Sequence, residues 1–281
     1  LAEGATIPFI ARYRKDKTGA LDEVQIQQIQ EETKFLQEFS DRKLFIEKTI
    51  TEQGKMTDAL QDKINAATTL SELEDIYLPY KPKRKTKAQT ARENGLEPLA
   101  LFLLGREGAQ PVSVADFISD KIADEESALQ GARDIIAEMV NEDAEVRAKM
   151  RKLFEQSATV QSKILSSKEE EAAKYKDYFD FSEPASKIPS HRMLAILRGF
   201  MEGFLKMNIA PEEEIALLKI EDQFVEPNNP SVEHVKKAIK DAYRRLLQPS
   251  LESEFRMALK TKSDEEAISV FAENLRQLLL S

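Results

Sequence analysis

The 281-residue chain has no cysteine and no tryptophan. Without thiols it has no disulfide framework, no thiolate metal site and no cysteine nucleophile, which suits a reducing cytoplasm. Glycine is scarce, at 9 residues; because a glycine costs a helix interior about 1 kcal/mol, this favours helices built on the abundant Ala, Leu, Glu, Lys and Gln. Long apolar runs are missing too. The longest strictly apolar stretch, Leu99 to Leu104, falls far short of the ~20 residues that cross a bilayer. The opening LAEGATIPFIARYR lacks the charged start and sustained apolar stretch of a secretory signal. No membrane partner is expected. Enzyme signatures are equally thin: there is no GxxxxGK[ST] loop, no GxGxxG and no HExxH. The 2 histidines, His191 and His234, stand far apart with no nucleophile elbow near either. The reading is of a protein that is not an enzyme, with no catalytic residue, no metal and no cofactor.

What is present is a globular balance of 41% hydrophobic and 32% charged residues, which excludes disordered and collagen-like classes. The length suits roughly two domains or one large elongated unit. Net charge is −9, from 41 basic and 50 acidic residues, a balance that argues against a nucleic-acid partner. One segment departs from it. From Pro79 to Arg92, PYKPKRKTKAQTAR carries Lys81, Lys83, Arg84, Lys85, Lys87 and Arg92 with no acid among them. Pro79 and Pro82 deny its start a helix, so an exposed loop or extended arm is expected, followed by a short helix stopping at Asn94–Gly95. Such a loop neutralises phosphates and releases counterions. Tyr77 and Tyr80 are candidates to stack on unpaired bases. The competing reading is a solvated surface loop with both tyrosines packed on a neighbouring helix. Weaker basic sites are Arg12, Arg14, Lys15 and Lys17 around Asp16, and the polar side of a helix near 232–248.

Along the chain, Asp22–Gln25 reads as a capping box opening a long amphipathic helix that stops at Gln53–Gly54. Thr57 caps the next helix, and Ser71 with Glu74 reads as the box of the one after. Glu97–Pro98 starts a buried helix ended by Gly105. Residues 125–156 read as two helices joined near Asn141. ATVQSKIL, without helical period, reads as a strand or an extended link. Pro189–Ser190 reads as a helix start, Ser190 as a cap and Gly199 as a stop. FLKMNI and IALLKIED are the best strand candidates, a hairpin around Ala210–Pro211 being one arrangement. Three helices, 232–248, 250–261 and 264–280, end the chain, the last opening on a Ser263–Glu266 box. The fold class is mainly α, a multi-helical bundle or array with room for one small β-hairpin.

Three stretches resemble one family. EGATIPFIARYRKDKTGALDE near the start, LEDIYLPYKPKRKTKAQTARENGLEPLA and YFDFSEPASKIPSHRMLAILRG follow, in order, the pattern of the Tex proteins, bacterial transcription accessory factors. The resemblance implies a cytoplasmic, multidomain protein whose largely helical N-terminal region contains a helix-turn-helix-like element. An RNase H-like domain, helix-hairpin-helix motifs and a C-terminal OB-fold RNA-binding domain would follow. It implies RNA or DNA as partner without sequence specificity, together with the transcription machinery. By position the motif cations are Arg12, Arg14, Lys81, Lys83, Arg84, Lys85, Lys87, Arg92, His191, Arg192 and Arg198, candidates for nucleic-acid contact. After Arg198–Gly199 the sequence departs from the family's polar pattern with the apolar FMEGFLKMNIAP, where packing is expected. Beginning at Leu1 and ending in LRQLLLS, the chain reads as a fragment that stops before the RNase H-like domain. Its expected parts are a helical domain over 1–156, a mixed segment over 157–226 and a helical segment over 227–281. A second class of function stays open: a helical scaffold that docks other proteins or braces the remaining domains, with RNA held elsewhere.

Overall fold

A computed structural model describes residues 4–82, 85–106, 112–165 and 169–280. By compactness the chain divides once, between Pro82 and Lys83, so the segments 157–226 and 227–281 both lie within the second unit.

The first unit is helical throughout: α1 (Ile7–Tyr13), α2 (Lys15–Thr18), α3 (Glu23–Glu52), α4 (Asp58–Ala66) and α5 (Leu70–Tyr77), then a 3₁₀ turn Leu78–Tyr80. The Asp22 box forms as read: its carboxylate accepts from the Gln25 N–H at 2.8 Å, and the Gln25 side chain accepts from the Asp22 N–H at 3.0 Å. Thr57 likewise caps α4. The box of α5 is Thr69 with Glu72, not Ser71 with Glu74. The earlier start puts Leu73 and Tyr77, one helical turn apart, into the core with Ile46, Ile50 and Ile64. It also frees Glu74 to pair with Arg42 of α3.

The second unit holds α6 (Lys87–Glu93), α7 (Glu97–Leu104), α8 (Glu125–Glu142), α9 (Ala144–Ser157), β1 (Thr159–Ile164), β2 (Asp180–Pro184), α10 (Ser190–Met201), β3 (Leu205–Ala210), α11 (Glu213–Phe224), α12 (Val232–Ala242) and α13 (Gln248–Leu280). Helix α8 is its axis, with Ala128, Ala132, Ile135, Ile136, Ala137 and Val140 fully buried. The strands form one antiparallel sheet in the order β2-β1-β3, whose inner residues Val160 and Ile209 join the same core as Met193 and Ile196 of α10. The described chain is thus mainly α with one small sheet.

Four local expectations are corrected. IALLKIED lies in helix α11: Ala216, Ile220 and Phe224 are buried at i, i+4, i+8, and Pro211 followed by three glutamates suits a helix start. The partner of β3 is therefore β1, with Val160 opposite Ile209, and no hairpin forms at Ala210–Pro211. Ser190 caps nothing; its hydroxyl donates to Glu266 of α13. Gly199 lies inside α10, where a Cβ would come 2.7 Å from Leu205 Cδ1, so it serves close packing. The helix stops instead near Gly203, at φ +73°.

The last three expected helices are two. Helix α12 passes through a π turn, Tyr243–Leu247, into α13, which runs unbroken through a buried Ser263, so no Ser263 cap exists. Gln248 N–H donates to the Tyr243 carbonyl five residues back. Pro249, with no N–H and a ring that would crowd the Arg245 carbonyl in α register, explains the wider turn.

Candidate nucleic-acid interface

The basic segment begins at the end of the first unit. Lys81 is exposed, held at its backbone by an N–H donated to the Tyr77 carbonyl at 3.0 Å. Tyr77 is 3% exposed; Phe45 meets its ring edge-on at 6.1 Å and Arg42 lies over it at 5.4 Å. Its ring thus serves the core in this conformation, the packing alternative of the sequence analysis. Tyr80 is half-buried against the same core, and its carbonyl accepts from the Gln53 side chain at 2.9 Å. Lys83 and Arg84 lie outside the described residues.

The second unit displays the remainder of the segment on α6. Thr86 caps that helix, accepting from the Gln89 N–H at 3.0 Å, and its hydroxyl donates to Glu138 of α8 at 3.1 Å. Arg92, at the far end of α6, pairs with the same buried Glu138 and lies 3.6 Å from Glu97. One carboxylate therefore ties both ends of α6 to the axial helix. Between them Lys87 stays exposed, and Lys85 makes an exposed ion pair with Glu93 at 3.1 Å. The Lys85 ammonium holds the Glu93 carboxyl below its ordinary value. A phosphate at Lys85 has to compete with this solvent-screened surface pair. Arg92 is different: its guanidinium is already committed to α8.

The other sequence candidates are scattered. Arg12 is exposed 3.8 Å from Glu23, and Arg14 stands over the Phe9 ring at 6.0 Å. On α10, His191 and Arg198 are exposed on one face, spaced i, i+7, whereas Arg192 pairs with Glu183 of β2 at 3.1 Å. Sequence reasoning missed two cationic placements that only strand register and tertiary packing create. Lys163 of β1 and Lys206 of β3 are opposed on the open face of the sheet, and Lys121 is brought to the groove that Lys87 also lines. No local spacing signals either. Among the described residues no cluster of three or more acidic or histidine side chains could hold a metal, and no helix is long and apolar enough to cross a membrane.

A mainly α protein with one small antiparallel sheet and a cation-rich segment in its sequence is the class these features define. The chain belongs to the Tex family. A family model described as Tex central region-like matches residues 107–271, and one described as Tex-like protein N-terminal domain matches residues 1–51. Protein YhgF of Escherichia coli is 42% identical over 100% of this chain and 38% of its own length. Transcriptional accessory protein Tex of Neisseria gonorrhoeae is 41% identical over 100% of this chain and 38% of its own. The human S1 RNA-binding domain-containing protein 1 is 32% identical over 98% of this chain and 29% of its own. The chain spans about two fifths of the length of the bacterial relatives.

Proposed function

We propose that the chain is the nucleic-acid-binding helical part of a Tex-type transcription accessory protein, holding RNA or DNA through phosphate contacts of its basic segment. The observation that carries this reading is the run of six cations without an acid between Pro79 and Arg92 in a chain of net charge −9. Lys81, Lys83, Arg84 and Lys87 are its principal contacts, because Arg92 is spent on α8 and Lys85 has Glu93 beside it. Arg12, Arg14, His191 and Arg198 are auxiliary ones. Phosphate contacts read no bases, so binding is indifferent to sequence. The names of the relatives, one a transcriptional accessory protein and another carrying an S1 RNA-binding domain, support this reading. In it the protein works in the cytoplasm beside the transcription machinery and catalyses nothing itself.

The test is fluorescence anisotropy of labelled single-stranded RNA and duplex DNA with the wild-type chain and with a variant in which Lys81, Lys83, Arg84 and Lys87 are alanine. The variant is expected to lose binding to every sequence tried while keeping the wild-type circular dichroism spectrum. Unchanged affinity would sink the assignment. A second reading has its own observation: the last turns of α13 expose Ile268, Phe271, Leu275 and Leu278, as a docking scaffold would. If the wild-type chain binds neither nucleic acid at low salt, that reading replaces the first.

A further inference from the structure

A groove with a cavity of about 500 Å³ lies wholly inside the second unit, between α6 and α8. Helix α6 and its C-cap Asn94 line it with Lys87, Thr90, Ala91 and Asn94; α8 lines it with Ser127, Gln130, Gly131 and Asp134. Both sets fall at i, i+3, i+4, i+7, the spacing of a single helix face, so two matched rows face each other. The volume is within the range of sites that take small organic ligands.

The floor and the walls differ in chemistry. Buried Ala91, Leu96 and Ile122 make an apolar floor. Gly131 completes it: a Cβ there would lie 2.4 Å from Leu96 Cδ1 and 3.3 Å from Ala91 Cβ, so the missing side chain lets α8 come down onto α6. On the walls, the two acids are already engaged by arginines, Glu126 by Arg133 and Asp134 by Arg245 at 3.8 Å. Lys87 and Lys121 are exposed and make no ion pair within 4 Å among the described residues, Lys121 meeting the Glu93 carboxylate only through the longer-range attraction that helps hold that acid below its ordinary value. The uncommitted charge of the groove is therefore positive; the Asn94 amide adds a neutral hydrogen-bonding group, and the Thr90 and Ser127 hydroxyls, which bond to the Thr86 carbonyl and the Asp124 carboxylate, keep lone pairs that can still accept.

We propose that this groove is a nucleotide site. An unpaired base lies on the apolar floor, its polar edge meets the Asn94 amide and the Thr90 and Ser127 hydroxyls, and its phosphate is held by Lys87 and Lys121. Lys87 belongs to both the groove and the basic segment, so the natural occupant is a nucleotide unit of the single strand whose backbone that segment holds. In this the inference rests on the nucleic-acid reading above. A free nucleoside monophosphate carries the same chemistry and serves as the probe.

The experiment follows backbone amide shifts of the whole chain by NMR during titration with AMP, ribose 5-phosphate and inorganic phosphate, alongside anisotropy of a short labelled oligoribonucleotide. AMP is expected to shift the Asn94 and Gly131 amides at concentrations where ribose 5-phosphate and phosphate do not. Lys121→Ala and Asn94→Ala are each expected to weaken AMP and the oligonucleotide about tenfold, while Lys81, Lys83 and Arg84 to Ala leaves AMP binding intact. If the oligonucleotide binds both groove variants as tightly as wild type and AMP moves no groove amide, the site is refuted and the nucleic-acid reading survives. If AMP shifts the groove and the oligonucleotide does not bind, the site stands with a free nucleotide as occupant and the nucleic-acid reading falls. Ribose 5-phosphate matching AMP would remove the base from the proposal and overturn it.

Discussion

Arg92 and Lys87 sit on the same short helix and do opposite work. Arg92 is bound into the unit by Glu138, whose side chain is buried, and Lys87 is left to solvent. Replacing Glu138 by Gln removes the charge that holds Arg92 and weakens the bond from Thr86. We expect urea unfolding to report a loss of about 1–3 kcal/mol, at the modest end because Arg92 keeps part of its water; an unchanged midpoint would show that α6 is held by apolar contacts alone. His234 offers a second residue-scale prediction. Burial, then Arg133 and Lys237, hold its imidazole below the ordinary 6.5, opposed by Glu126 and Glu233, and Arg133 Nη1 lies 3.2 Å from its Nδ1. Below the ordinary value the unfolded chain takes up this proton more readily than the folded one. Stability from this group is therefore complete above that value and declines as pH falls through it toward the lower folded value. His234→Asn is expected to flatten that decline in thermal melts between about pH 5 and 7; an identical slope would assign it elsewhere. The residue-level roles of Arg92 and Tyr77 were invisible in sequence because a cation near a buried acid and a tyrosine near a core look like any surface pair until packing is known.

Helix ends were readable where a local device sets them. The Asp22 box, the Thr57 cap and the glycines after α6 and α7 act through bonds spanning a few residues, so the chain alone announces them. The Thr69–Glu72 box overlaps the S-x-x-E pattern of Ser71 and Glu74, and burial of Leu73 and Tyr77 decides between them. Thr69→Ala is expected to destabilise the first unit by about 1 kcal/mol, and Ser71→Ala by clearly less; equal effects would contradict the observed cap. The misreading of α11 came from its apolar run, which fits either period over a short window. Its three leading glutamates were the better signal. The continuity of α12 into α13 was hidden by Pro249, which normally ends a helix and here is absorbed by a π turn.

Across the whole molecule, charge and compactness point to the same stretch of sequence. The division into two units falls between Pro82 and Lys83, inside the most cationic segment of an acidic chain. Boundaries between compact units are preferred sites of proteolysis. Limited trypsin treatment is expected to cut first after Lys85, the bond after Lys81 being barred to trypsin by Pro82, and to leave fragments resistant beyond that point; first cleavage inside α3 or α8 would contradict the division. The helical class and the Tex resemblance were readable because long ordered motifs and helix-favouring composition survive without tertiary knowledge. The α6–α8 groove was not, because Lys121 and Lys87 meet only through the fold. The central claim, that the basic segment holds phosphates, is tested most directly by the salt dependence of single-stranded RNA binding between roughly 50 and 200 mM. Neutralisation of about four phosphates predicts a log–log slope near −3 for a single strand, falling toward zero when Lys81, Lys83, Arg84 and Lys87 become alanine. A slope that is flat in the wild type, or that survives those substitutions unchanged, would contradict it.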